Sequence, residues 1–310
     1  MQMVQFKKTP VMSSTTGDIR GADVILSLAK IYPQLYLTPC PEGAEEYKKV
    51  VEYGEMPQSS SLSHFKCSDE DSLTMENTPA GPVPVITLHE RADFELFLQI
   101  MGHRCVPKKI PATQGASILD GVINWTKIRA HEEEFYKENG PDADWSSEFD
   151  RFTSDRNNFK DALVILSYGP YSAVSAERAG FSDEWLCLSN IIRKTHECTH
   201  FVCRRLLPDK KDPVWDELVA DAAGIFAAFG LFDRSLEELF LGISGDEYTG
   251  GRLENYIDGD ENRQEQLNCL ARKIHQILQH FSEISEKCDP ADPYGFALRL
   301  EEEIGCWKKA

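Results

Sequence analysis

The sequence predicts an α+β fold, with a smaller α/β region on the N-terminal side and a C-terminal half that is mainly helical. Three observations carry this. Helical and strand-like patterns alternate up to about residue 125. A continuous apolar run, Ala162-Leu163-Val164-Ile165-Leu166, reads as a strand that exits through Tyr168-Gly169-Pro170-Tyr171. Beyond residue 182, apolar residues recur at helical spacing along three long segments.

Taken in order, Ile19 to Lys30 carries a short helical pattern through Ile19, Ala22, Ile25, Leu26 and Ala29. Leu35-Tyr36-Leu37 is a candidate strand, and Gly43 to Glu55 is charged and helical in part. Pro57 to Pro84 is rich in Ser, Pro and acid and reads as loop. Val83 to Leu88 reads as a strand, placed at a sheet edge by Pro84. Arg91 to Met101 puts Phe94, Phe97, Leu98 and Met101 on one helical side. Asp120 to Asn139 is mostly helical, and Gly140 to Ser147 breaks it. Ser182 to Leu207 is a long helix. Asp212 caps the next helix, with Pro213 in its first turn and Gly230 at its end. Gly242 to Glu261, glycine-rich and acidic, is a loop. Asn262 to Ile284 is a helix facing the core through Leu267, Leu270, Ile274, Leu278 and Phe281. The division implied is 1–125 for the N-terminal region and 126–310 for the rest.

At 310 residues, with 41% hydrophobic and 27% charged content, the chain can bury a core without disulfide or metal staples. Its 33 basic against 51 acidic residues give a net charge of -18, which repels a nucleic-acid backbone. The pairs Lys108-Lys109, Arg193-Lys194, Arg204-Arg205 and Lys210-Lys211 are too short to form a basic face. Met1 to Pro10 lacks the apolar core of a secretory signal, and no run of eighteen apolar residues suggests a membrane span. The nine cysteines are scattered without a CxxC pair, which suits free thiols in a reducing cytoplasm.

The most informative stretch is His196-Glu197-Cys198-Thr199-His200. Residues four apart share a helix face, so both histidines can reach one ion, and Glu197 at a neighbouring angle can take a proton from a metal-activated water. Chance supplies such a pattern in about 2% of chains of this composition, so the metal reading outweighs a merely polar helix surface. Leu188, Ile192, Thr195, Thr199, Val202 and Leu206 form the inward stripe, with both histidines at its margin. On the next helix, Glu217 can be the third ligand, and Asp221 can accept a hydrogen bond from the outer ring nitrogen of His196. Ala220, Gly224 and Ala228 offer small surfaces for close approach of the two helices. The competing reading makes Glu217 and Asp221 solvated acids.

HExxH followed by ExxxD on the next helix resembles the thermolysin-like zinc metallopeptidases, the gluzincin branch of the zincins. The resemblance covers about residues 160 to 230. It implies a zincin-like domain over 126–310 and zinc bound by His196, His200 and Glu217. It also implies Glu197 as general base and Asp221 orienting His196. A strand whose edge pairs with an extended peptide substrate is implied as well, and Ala162 to Ser167 looks like it, with Tyr168 to Tyr171 bordering the cleft. Asp216 stands where the family has asparagine, and no later segment matches the family's transition-state histidine. Candidates for the oxyanion donor are His275 and Tyr256, followed by Tyr248, Tyr168 and Tyr171. The expectation is a cytoplasmic zinc metallopeptidase acting on a peptide or protein, with residues 1–125 open to a regulatory or partner-binding role. The alternatives are an inactive zinc-binding scaffold and a metal-free interaction module.

Overall fold

Lys160–Ser167 forms the predicted strand, and residues 162–167 are buried without a break, as expected of a strand covered on both faces. The structure is a computed structural model that describes residues 18–208, 213–257 and 262–307, excepting the side chains of 305–307. Asp212, Lys210-Lys211 and Met1 to Pro10 lie outside the described residues. The fold is α+β and mostly helical, with eleven α-helices and a mixed five-stranded sheet among the described residues.

In chain order the elements are β1 (Ile19–Arg20), α1 (Asp23–Ile31), α2 (Gly43–Glu52), β2 (Ser72–Thr78), β3 (Gly81–Leu88), α3 (Arg91–Met101), β4 (Ala116–Ile123), α4 (Trp125–Asn139), α5 (Trp145–Thr153) and β5 (Lys160–Ser167). There follow α6 (Ala176–Ala179), α7 (Trp185–Leu206), α8 (Pro213–Phe229), α9 (Arg234–Leu241), the short pair β6 (Ile243–Ser244) and β7 (Glu247–Tyr248), α10 (Arg263–Ser285) and α11 (Pro293–Trp307). Two compact units result. One takes the chain up to Met75, Pro82–Ile110 and Leu119–Ser167; the other takes Glu76–Gly81, Pro111–Ile118 and everything from Tyr168 on. The expected single boundary near residue 125 therefore does not match the division, because the strand at 160–167 belongs with the first unit.

The five-stranded sheet, most of whose residues belong to the first unit, has strand order β1-β2-β3-β5-β4. β1 runs antiparallel to β2, pairing Ile19 with Leu73. β3 runs parallel to β5, with Val85 opposite Val164 and Leu88 opposite Ser167. The core joins Val24, Ile25 and Leu28 of α1, Phe94, Phe97 and Leu98 of α3, Ile86 and Leu88, and Leu163 and Ile165. Asp161 ties the layers together, accepting from Tyr32 Oη at 2.6 Å and Asn124 Nδ2 at 2.7 Å and pairing with Lys127 Nζ at 2.6 Å. Asn124 also caps α4, accepting from the backbone N–H of Thr126 and Lys127.

Several expectations need correction here. Leu35–Leu37 is no strand: Pro33–Tyr36 is a 3-10 turn, with Pro33 supplying its first dihedral. The loop expected over 57–84 contains β2. β3 is interior, not an edge, and its ladder to β5 begins at Val85, so the N–H missing from Pro84 precedes the paired register. The segment from Asp120 begins as the end of β4, and helix starts only after Asn124.

The second unit is helical around a core from α7 to α11 that includes Trp185, Ile192, Leu218, Phe226, Phe240, Ile274, Leu278, Phe281, Phe296 and Leu300. Gly230 follows α8 in left-handed backbone (φ 72°), the helix stop read from sequence. The segment from Gly242 is tighter than a plain loop: it forms the β6–β7 hairpin and a 3-10 turn over Arg252–Tyr256. Among the described residues, no helix is long and apolar enough to cross a membrane.

Candidate metal centre

α7 is amphipathic at both ends, but its middle is not. Residues 195 to 202 are buried on every side, so the two histidines sit inside the unit rather than at the margin of a stripe. Leu206, read as inward, is 38% exposed. Polar groups buried this way need partners, and α8 supplies them. α7 and α8 pack along their length. They approach so closely that a Cβ on Gly224 would lie 2.6 Å from the Ile192 carbonyl oxygen. This is the small-residue contact anticipated from Gly224.

Three side chains converge. His196 Nε2 lies 3.1 Å from His200 Nε2 and 3.5 Å from Glu217 Oε2, while His200 Nε2 lies 3.3 Å from Glu217 Oε1. The histidine rings are nearly perpendicular, at 84°. These three residues form a cluster that can hold a metal ion. Burial works against the Glu217 carboxylate, yet hydrogen bonds from both histidines, and their charge, hold it well below the usual carboxylate range.

Behind the cluster, Asp221 is fully buried, and its Oδ1 lies 2.7 Å from His196 Nδ1. A carboxylate only accepts, so Nδ1 of His196 carries a ring proton, and an ion in the cluster would take the Nε2 lone pair in place of the hydrogen bond to Glu217. Tyr171 donates to the same Asp221 oxygen, and its hydroxyl lies 3.0 Å from His196 Nδ1. Burial pushes the Tyr171 hydroxyl above its ordinary range, so it remains a donor. Arg252 donates to the other Asp221 oxygen. The Tyr171 ring is flanked by two guanidinium groups, Arg252 at 5.4 Å and Arg193 at 5.7 Å from its centroid. The turn that delivers Tyr171 holds Ser172 (φ 49°) and Ala173 (φ 57°) in left-handed backbone, a strained form for residues with a Cβ.

The cluster opens on a cleft of about 300 Å³. Its walls include Glu197, the stretch Thr113–Ile118, Ser172, Arg193, Arg204 and Arg252. Glu197 thus faces the same space as His196, His200 and Glu217. Tyr256 reaches the site differently: it hydrogen-bonds Glu217 and is not on the cleft wall, and burial followed by the Glu217 charge raises its pKa.

His275 is not brought to the site. Its Nδ1 pairs with Glu238 Oε1 of α9 at 2.8 Å. Ile274, Leu278 and Phe281 occupy the core face of α10, and His275 turns one position away from it. Tyr248 hydrogen-bonds the backbone of Gly251, and neither it nor Tyr168 lines the cleft. The substrate-pairing strand expected at Ala162–Ser167 is also displaced. β5 is interior to the sheet, whereas β4 is an edge strand and its first residues, Ala116–Ile118, line the cleft.

Sequence reasoning missed the places of Arg252 and Arg193 and of the wall residues Ala116–Ile118, while Lys108 to Gly115, which ends in the same wall, reads equally well as ligand contact or ordinary surface. Arg252 did leave a trace, as a cation after two glycines in an acidic segment. Gly250 takes left-handed backbone (φ 110°), and a Cβ on Gly251 would lie 2.5 Å from the Gly242 backbone nitrogen. The other contacts are long-range, with no local signal. Also missed was Glu237 of α9, fully buried with neither carboxyl oxygen hydrogen-bonded among the described residues. Burial and then the Glu217 charge push its pKa up.

The profile of a family of unknown function (DUF7005) matches residues 22–293, and the chain belongs to that family. No curated protein and no solved structure matches the chain.

Proposed function

We propose that this protein is a zinc-dependent hydrolase, a metallopeptidase of the gluzincin kind. The observation that carries the reading is the triangle of His196, His200 and Glu217 with Asp221 on the outer nitrogen of His196. A tetrahedral ion with bonds of roughly 2.0–2.1 Å needs donor atoms about 3.4 Å apart. The three edges here are 3.1, 3.5 and 3.3 Å. Two imidazoles and one carboxylate form a catalytic zinc set, whereas structural sites use four protein ligands, commonly thiolates. Cys198 adjoins Glu197 in α7 but is not among the side chains whose ligand atoms converge, which are His196, His200 and Glu217.

Zinc in this position would polarise a substrate carbonyl and lower the pKa of a water molecule toward neutrality. The chain's own groups do the rest. Asp221 holds the His196 tautomer, with Tyr171 and Arg252 fixing Asp221. Glu197 lines the cleft as the base that accepts the water's proton and returns it to the leaving amine. A peptide is favoured as substrate because the wall includes the start of an edge strand, Ala116–Ile118, whose main chain can pair with an extended backbone.

The scaffold reading has one observation in its favour: His275, a leading candidate for the oxyanion donor, is held by Glu238 instead. Glu197→Gln tests the two. On the hydrolase reading the variant binds one zinc per chain but loses peptide cleavage by roughly 10²- to 10⁴-fold. Wild-type protein that binds zinc and cleaves no member of a peptide library supports the scaffold. Cleavage retained in the variant rejects Glu197 as the base.

A further inference from the structure

We infer that Arg204 makes the cleft selective for peptides bearing a carboxylate close to the scissile bond. This rests on the peptidase reading of the same site. The chain carries a net charge of -18, yet three arginines, Arg193, Arg204 and Arg252, line the metal cleft. Two of them are turned toward the protein. Arg193 donates to the carbonyl oxygens of Gly169 at 3.0 Å and Pro170 at 2.9 Å. Arg252 donates to Asp221 and stacks on Tyr171.

Arg204 differs from both. It is exposed, and it forms no ion pair or side-chain hydrogen bond with another described residue. It follows His200 by four residues, so His196, His200 and Arg204 line one face of α7 at successive turns, each rising about 6 Å. A planar guanidinium one turn outside the ligand cluster is placed for a bidentate grip on a carboxylate whose peptide carbonyl lies over the cluster. The surrounding acid sharpens the choice, because an anionic ligand finds its local attraction in the cleft. The structural alternative is that Arg204 only complements the C-terminal dipole of α7. That role contributes to stability and is blind to substrate charge.

The carboxylate has two possible sources, an Asp or Glu side chain and the peptide's C-terminus. A peptide series on one core sequence separates them: neutral and amidated, neutral with a free C-terminus, and amidated with Glu at successive positions. With zinc-loaded full-length protein, carboxylate-bearing peptides should exceed the neutral amide in kcat/KM by roughly ten- to a hundredfold. Whichever arm shows the gain identifies the source. In Arg204→Met, which keeps the apolar stem, the ratio should collapse toward one; in Arg204→Lys it should be partly retained.

A second readout needs no turnover. A labelled carboxylate peptide should bind the Glu197→Gln protein in a salt-sensitive manner, and adding Arg204→Met should weaken binding about tenfold or more. Cleavage without carboxylate preference, or a ratio unmoved by Arg204→Met, overturns the inference and leaves the peptidase reading standing. Arg204-dependent binding without cleavage of any peptide keeps the carboxylate site and removes the peptidase.

Discussion

Asp221 carries more of the site than its place behind the metal ligands suggests. It is fully buried and takes donors from His196, Tyr171 and Arg252. Asp221→Asn removes the acceptor that fixes the His196 tautomer and should lower zinc affinity by roughly 10- to 100-fold, read by competition with a chromogenic chelator. Unchanged affinity would contradict the role. Arg252→Met leaves that buried carboxylate short of its cation and should cost about 3 kcal/mol in thermal or denaturant unfolding. Glu237 makes an opposite prediction. Its folded pKa is raised, so it keeps its proton when the unfolded chain has released it. Below the unfolded value, about 4.3, both states are protonated; above it the folded state binds more protons, and stability falls as pH rises. Glu237→Gln should therefore raise the melting temperature at pH 7.5 and leave it nearly unchanged at pH 4, by differential scanning fluorimetry. A variant less stable at pH 7.5 would show that the ionised carboxyl has a partner. The metal-binding residues were legible because they repeat at a helical spacing within two segments. Tyr171 was visible as a residue bordering the cleft and as one of five candidate oxyanion donors, Arg252 only as a cation after two glycines, and Glu237 not at all, because what defines them is contact across 50 residues for Tyr171, across 31 for Arg252 and burial without a hydrogen bond among the described residues for Glu237.

At the scale of elements, the centre depends on how closely α7 and α8 pass. Gly224 sets that distance, since any larger side chain meets the Ile192 carbonyl. Gly224→Val should force the helices apart, lowering stability by about 1–3 kcal/mol and weakening metal binding along with it. A stable variant with full zinc affinity would show that the centre tolerates a wider gap. These helices could be read because their apolar period is long and regular. β5 could be read because burial on both faces leaves a continuous apolar run. β4 could not. It alternates poorly, is half-exposed along almost its whole length and runs into the helix start, so Ala116–Ile123 blends with the pattern that follows. Asn124 was the available sign, a capping residue that places the helix start at Trp125. β2 was hidden in the same way, by a polar sequence, Ser72–Thr78, lying inside a segment rich in serine and acid.

At the scale of the whole molecule, composition gave no apolar run long enough for a membrane-spanning helix and weighed against nucleic acid, but said nothing about the cleft. An acidic chain carries a local group of arginines there, which only the fold assembles. The domain division was also out of reach, because the chain passes between its two units several times. The most direct test of the metal centre is zinc content by mass spectrometry on protein purified without chelator, for wild type, His200→Ala, Glu217→Ala and Glu197→Gln. One zinc per chain in wild type and Glu197→Gln, and far less in the other two, is the predicted pattern. Wild-type protein that stays metal-free after zinc supplementation, or His200→Ala that keeps a full equivalent, would contradict it.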